Sequence, residues 1–320
     1  MPSSIWRGST RRTPADMDRR AFIAALAALG IAPWARAQGA KTRLILLGTG
    51  GGPRPRKENV SASQVLVVND QLYVVDCGNG VARQLVSAGL ALPRLRHVFL
   101  THQHSDHNAD YGNLLWLSWA SGLRTKVDTW GPPPLEKMTR LFFEMNAYDI
   151  NTRIADEGRV PLVPLITPHE VSQGGAVMQD EHVRVTCTLV DHPPVVPALA
   201  YRFDTADRSI VISGDTNRSE NLVKLAQGAD VLVHEALYVP AVDRLVARVP
   251  NAATLKEHII ASHTAVEDCA RVATAAGVKT LVLSHLVPAD DPMVTEQTWL
   301  EAARPHFKGK IVVGRDLMEI

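Results

Sequence analysis

A four-layer α/β sandwich, two sheets face to face with helices on both outer sides (αββα), is the fold this sequence predicts. Three observations predict it. Both halves of the chain open with apolar strand-like runs and then alternate strand with helix, the ordering of a layered α/β domain. A hydrophobic fraction of 46% against 21% charged residues supplies enough apolar side chain for a large core. Polar residues with ligand or acid–base chemistry sit directly behind several apolar runs, where strand ends gather into a site. No internal repeat and no low-complexity linker follows residue 37, so a single domain is expected over 38–320.

The elements follow in order. KTRLILLG (41–48) reads as a strand entering a Gly/Pro-rich loop. SQVLVVND and QLYVVDCG are two β-rich runs joined by a tight turn at Asn69-Asp70. GNGVARQLVSAGL reads as a helix that Gly89 ends, and LRHVFLT as the next strand. DHNADYGNLLWLSWASG (106–122) reads as one continuous helix with an apolar face. PPPLEKMTRLFFEMNAYDI (132–150) reads as a helix and NTRIADEGRVPLVPLITPHE (151–170) as a long loop, a lid candidate. In the second half HVRVTCTLV, ALAYRFD and RSIVISGD are strands, SENLVKLAQG a helix and ADVLVHEA a strand. HTAVEDCARVATAAG is a strongly periodic helix and KTLVLSH a strand, followed by a helix near 294–304 and two short strands.

The N-terminus has a different logic. Arg19-Arg20 is followed by an apolar stretch rich in Ala and Leu that ends in Ala35-Arg36-Ala37, the three-part layout of an export signal. The arginine pair gives it a twin-arginine character, with cleavage expected near Ala37 and a periplasmic or secreted mature chain. The apolar stretch is too short for a stable membrane anchor. Six arginines and two aspartates precede Gln38, so removing this +4 segment from a chain of net +1 leaves about −3. Such a surface argues against bulk nucleic-acid binding. The three cysteines, Cys77, Cys187 and Cys269, form no CxxC and no disulfide framework; an oxidising compartment would allow one bridge, which the sequence does not select.

Residues 99–110 read FLTHQHSDHNAD, with three histidines and two aspartates in twelve positions behind an apolar run. Side chains two apart on extended backbone point the same way, so His102 and His104 can grip one cation. Where the chain turns, Asp106 and His107 diverge toward a second. Completing two coordination spheres needs further ligands at later strand ends, and His192, Asp215 and His285 each stand just past an apolar strand.

THQHSDH (101–107) resembles the HxHxDH signature of the metallo-β-lactamase superfamily. LGTGGGPRP (47–55), VDCGNG (75–80), SGDT (213–216), VLVHEA (231–236), SHT (262–264) and LSHLVP (283–288) narrow the resemblance to the ribonuclease Z-like branch with its arylsulfatase and phosphodiesterase relatives. The resemblance implies two divalent metal ions, zinc by family habit. His102, His104 and His192 would hold one, Asp106, His107 and His285 the other, and Asp215 would bridge them, with Asp76 supporting the cluster. It also implies His263 of SHT as proton donor with Glu235 as its partner; Asp106 is counted with them as catalytic. His234 reads as a structural histidine in a strand core, and His97, His169, His182, His258 and His306 have no supporting context. Trp116, Trp119, Phe142, Phe143, Tyr148 and Tyr238 serve either as core or as a pocket over the metals.

The expected activity is hydrolysis of a small phosphodiester or sulfate ester by a water activated between two cations. The alternatives are a lactone or β-lactam hydrolase on the same site and a non-catalytic metal- or ligand-binding protein. Expected partners are a small-molecule ester and the export machinery, with no nucleic acid, and a homodimer is the oligomer to look for.

Overall fold

The computed structural model describes residues 42–320; the export signal expected over residues 1–37 lies outside the described residues. Two seven-stranded sheets form the centre. The first uses β1 (Arg43–Gly48), β2 (Ser63–Val68), β3 (Gln71–Val75), β4 (Leu95–Phe99), β5 (Val127–Gly131), β6 (Ile166–Glu170) and the C-terminal β14 (Met318–Glu319), in the order β14-β1-β2-β3-β4-β5-β6. The second uses β7 (Gly175–Gln179), β8 (Val183–His192), β9 (Val195–Thr205), β10 (Ser209–Ile212), β11 (Val231–Leu237), β12 (Thr280–Val287) and β13 (Lys310–Val313), in the order β13-β12-β11-β10-β9-β8-β7. Each sheet begins with antiparallel hairpins and continues with parallel strands. The Asn69-Asp70 turn has positive φ at both residues (48° and 62°), the geometry that matches the twist of paired strands.

Three apolar clusters define the layers. Leu44, Leu46, Tyr73, Val75 and Phe99 of the first sheet meet Leu199, Tyr201, Phe203, Ile212 and Val233 of the second between the sheets. The alternate residues Ile45, Leu47, Leu72 and Val74 face outward. There they meet α1 (Val81–Ser87), α3 (Tyr111–Ala120), α4 (Leu135–Met145) and α5 (Ala147–Glu157). The second sheet is covered in the same way by α6 (Glu220–Leu225), α9 (Val266–Ala276) and α10 (Glu296–Ala303). Strands buried on both faces have no polar alternation, which is why the sequence shows near-continuous apolar runs. The predicted αββα sandwich is the observed fold.

Three local readings need correction. The helix expected over 106–122 is two: α2 (Ser105–Asn108) and α3. The break at Ala109-Asp110 is stabilised because the Asp110 amide donates to the Cys77 carbonyl and its carboxylate accepts from the Gly80 amide. The expected loop over 151–170 is instead half of α5, a 3₁₀ turn and β6; Arg153 bridges Asp149 and Glu157 one turn either side, supporting the helix that Gly158 (φ 65°) ends. The segment between β11 and α9 carries α7 (Val242–Val246) and α8 (Leu255–Ser262), which the sequence did not announce. All three cysteines are buried and unpaired. Among the described residues no helix is long and apolar enough to cross a membrane.

Candidate metal centre

The carboxyl ends of β4, β8, β10, β11 and β12 converge on one edge of the sandwich, where layered α/β folds build ligand sites. After β4 the chain leaves the sheet extended at His102 and His104 and then enters the single turn of α2, which carries Asp106 and His107. His192 is the last residue of β8. Asp215 follows β10 through Gly214, whose φ of 58° suits glycine and whose absent side chain leaves room; a Cβ there would lie 2.7 Å from the Leu199 carbonyl oxygen. His285 sits in β12 with φ 44°, where the register with β11 shifts, and this irregularity turns its ring into the site.

Two ligand-capable sets result. His102, His104, His192 and Asp215 bring one atom each within 4.8 Å of the others, and so do Asp106, His107, Asp215 and His285. His104 Nδ1 lies 3.1 Å from His102 Nε2 and 3.0 Å from His192 Nε2. His285 Nε2 lies 3.2 Å from both Asp106 Oδ2 and Asp215 Oδ2, and His107 Nε2 lies 3.3 Å from Asp215 Oδ1. The three sequence-distant candidates thus meet the 102–107 segment.

The outward nitrogens of His102, His107 and His192 are held, while His285 Nδ1 is buried without a hydrogen-bond partner. His102 Nδ1 meets the Thr101 hydroxyl at 3.0 Å, His107 Nδ1 donates to Asp76 Oδ2 at 2.8 Å, and His192 Nδ1 donates to the Ser262 carbonyl at 2.8 Å. Asp76 is itself fixed by the Thr101 amide and hydroxyl. Such partners set tautomer and aim, leaving the other nitrogen free for a cation. The Gly52 amide donates to Asp106 Oδ2 at 2.8 Å.

Burial lowers His102 well below the usual histidine range and His104 to about 4, so both present lone pairs at neutral pH. Burial pushes Asp106 and Asp215 up, but the surrounding histidines outweigh it and hold both carboxyls ionised. The residues fit divalent metal ions. Imidazole nitrogens face each other at hydrogen-bond distance, and buried His107 Nε2 and Asp215 Oδ1 lack a hydrogen-bond partner. The nitrogen and oxygen donor set is one that zinc and similar cations take.

Beside this floor, His263 Nδ1 lies 3.4 Å from Glu235 Oε2 and 3.9 Å from Asp215 Oδ2. Its ring stacks on His285, with centroids 5.6 Å apart. Glu235 accepts from the Thr216 and Thr264 amides. Burial opposes the charge on His263, but Glu235 and Asp215 raise its pKa to about 9. His234 is fully buried, with Nδ1 on the Glu235 carbonyl, as a structural histidine should be. His97, His169, His182 and His306 lie away from the site, against Asp180, Asp128, Asn69 and Arg271 respectively.

Of the two roles open to the six aromatics the pocket role is not taken, and His258 has a context that the sequence does not show. None of the six candidate aromatics lines the cavity above the ligands, which measures about 280 Å³. Trp119 and Phe143 are core, Tyr238 packs on Trp299, and Tyr148 is exposed on the helix layer. The cavity wall comes instead from α7 and α8, together with His258, whose ring lies 6.1 Å from that of His104. His258 stands one helical turn before Ser262 and meets its hydroxyl at 3.3 Å; seeing α8 in the sequence would have revealed it.

An αββα sandwich with this histidine and aspartate set at its open edge is a metal-dependent hydrolase. The chain belongs to the metallo-β-lactamase superfamily, in its ribonuclease Z-like branch: the family model described as beta-lactamase superfamily domain matches residues 72–286. A ribonuclease Z of Mycobacterium bovis (strain BCG / Pasteur 1173P2) is 34% identical over 280 residues, covering 87% of this chain and 97% of that one. A ribonuclease Z of Mycobacterium sp. (strain KMS) is 35% identical over 277 residues, 86% of this chain and 94% of that one. Among solved structures, the short form of human tRNase Z superposes with a TM-score of 0.64 at 21% identity, covering 87% of this chain and 98% of that one. The metallo-beta-lactamase fold protein YhfI from Bacillus subtilis gives 0.64 at 18%, with 87% and 98% covered.

Proposed function

We propose that the chain is an exported phosphodiesterase that uses two zinc ions to hydrolyse a small phosphodiester. The observation that carries this reading is Asp215 shared between two ligand-capable sets, with the Glu235–His263 pair alongside. Bound cations supply Lewis acidity toward the phosphoryl oxygens and lower the proton affinity of an attacking water. In this assignment His102, His104 and His192 serve one ion, Asp106, His107 and His285 the other, and Asp215 both. Asp106, ionised and lining the cavity, accepts a hydrogen bond from the attacking water and aims it, and the proton that the water gives up leaves to solvent. As the bond from phosphorus to the leaving oxygen breaks, His263 gives that oxygen its proton, and Glu235 keeps the imidazole charged and aimed.

The curated relatives favour RNA as the diester, since they are ribonucleases Z. The mildly acidic mature chain and the small cavity favour a small molecule. A panel of bis(4-nitrophenyl) phosphate, 4-nitrophenyl sulfate, a homoserine lactone, a cephalosporin and a precursor tRNA separates these. The proposal expects diester turnover that chelation abolishes and zinc restores. Turnover of only the lactone and cephalosporin overturns it, and preference for the tRNA moves the substrate to RNA. Export is tested by sequencing the mature N-terminus: Gln38 is expected, and an uncleaved chain retained in the cytoplasm contradicts it.

A further inference from the structure

The cavity over the ligands has two unlike sides. Its floor and one flank are polar: His104, Asp106, Asp215, His263 and His285 below, and the Gly51-Gly52 loop beside them. Arg56, a buried guanidinium, donates to the carbonyls of Gly51 and Gly52 and holds that loop down. Gly51 approaches His285 so closely that a Cβ there would lie 2.8 Å from the ring. Most of the remaining lining is apolar, Leu245, Val249, Leu255 and Ile259 with Val287 beside the Gly51 loop, and His258 of α8 stands among them. Leu245, Ile259 and Val287 belong to a small satellite core together with Leu237 and Val242, with Leu255 packed against it, separate from the three clusters that hold the sheets and helices.

α8 ends at Ser262 and His263 caps it, so the helix that supplies Leu255 and Ile259 runs directly into His263. A substituent seated there is joined to the oxygen that His263 protonates. An aryl or alkyl group would exchange water for Leu, Val and Ile side chains. A nucleoside would turn ribose hydroxyls against a wall on which His258 is the one lining side chain of α7 and α8 that offers a hydrogen-bond partner. A volume of about 280 Å³ admits a ring or short chain and is small for a folded nucleic acid.

We infer that α7 and α8 form a subsite for an apolar leaving group, so that the substrate is a phosphodiester whose departing alcohol or phenol carries an aromatic or branched alkyl body. This rests on the phosphodiesterase reading and adds what sits beside the phosphate.

The test compares, in the zinc-loaded mature protein, two diesters sharing a methyl group on the retained side: methyl phenyl phosphate and thymidine 5′-methyl phosphate. Wild type should favour the phenyl ester in kcat/KM by at least about tenfold after correction for each leaving group's intrinsic reactivity. In Val249→Asn/Leu255→Asn that preference should shrink to within about twofold, through a raised KM for the phenyl ester. The preference is a ratio within each preparation, so partial unfolding lowers both rates and leaves it fixed. No preference in wild type, or the same preference in the double variant, overturns the subsite. A second readout, calorimetric binding of diphenyl phosphate, does not require turnover. Binding that the double variant weakens supports the subsite even where hydrolysis fails and the phosphodiesterase reading falls. Binding that the variant leaves unchanged overturns the subsite.

Discussion

The floor of the site and its wall are built in different ways. The floor residues stand at the end of β8, just past β10, within β12, or on the segment and the single turn of α2 that follow β4, so all hang from strands clamped between the inter-sheet core and a helix layer; His102, His107, His192 and Asp215 are all at most 2% exposed. The wall stands on two short helices over a five-residue satellite core. The difference teaches that chemistry and specificity are carried by separately stabilised parts. Positions that must hold to a fraction of an ångström are placed on the rigid sandwich, and the surface proposed to choose among substrates stands where side chains can change at small cost to the fold.

The largest effect should come from the floor. Asp215→Ala removes a shared carboxylate from both sets, so hydrolysis should fall by on the order of 10³ or more, with loss of bound metal by mass spectrometry. Retention of two ions would break the claim that Asp215 joins the sets. Asp76→Asn touches no metal-facing atom but frees His107 Nδ1; metal affinity should fall about 10- to 100-fold in a competition titration with a chelator.

Stability should divide along the same line. Leu46→Ala, a fully buried residue between the sheets, should cost about 4 kcal/mol in denaturant unfolding, and Leu245→Ala in the satellite core about 2 kcal/mol. Equal costs would mean that the wall is as integral to the sandwich as the floor. The smallest signal is a proton. In the metal-free protein the His263 imidazolium should titrate near pH 9 by NMR, and Glu235→Gln should bring it down toward the ordinary histidine value. A folded-state pKa above the unfolded one stabilises fully at pH values below the unfolded pKa, and this contribution is lost as pH rises through about 9. His258 is the titrating side chain on that wall, and burial lowers its pKa, so the preference for the phenyl ester should not follow the His263 titration near pH 9.

The same contrast explains what the sequence disclosed. The layered fold and the ligand set were readable because strands buried on both faces leave long apolar runs and because each ligand follows one directly. HQHSDH is one local segment, so the spacing of its side chains is fixed by backbone geometry. His192, Asp215 and His285 could be nominated by position, but the turned ring of His285 depends on a positive φ that a single residue type does not announce. The wall was not readable. α7 and α8 are short, they lack side-chain capping bonds, and their apolar residues face a satellite core whose partners, Leu237 and Val287, come from distant strands. For the aromatics the sequence leaves core and pocket both open, and in the structure Trp119 and Phe143 fill the helix layer. The break at Asp110 depends on contacts with Cys77 and Gly80 thirty residues earlier, which no local pattern records.

The most direct test of the central claim is a zinc titration of the metal-free protein followed by calorimetry, with the bound ions located by anomalous scattering. The account predicts two ions per chain, one among His102, His104 and His192, the other among Asp106, His107 and His285, with Asp215 reaching both. Zinc that binds elsewhere, or a protein that hydrolyses diesters fully in the presence of chelator, would contradict it.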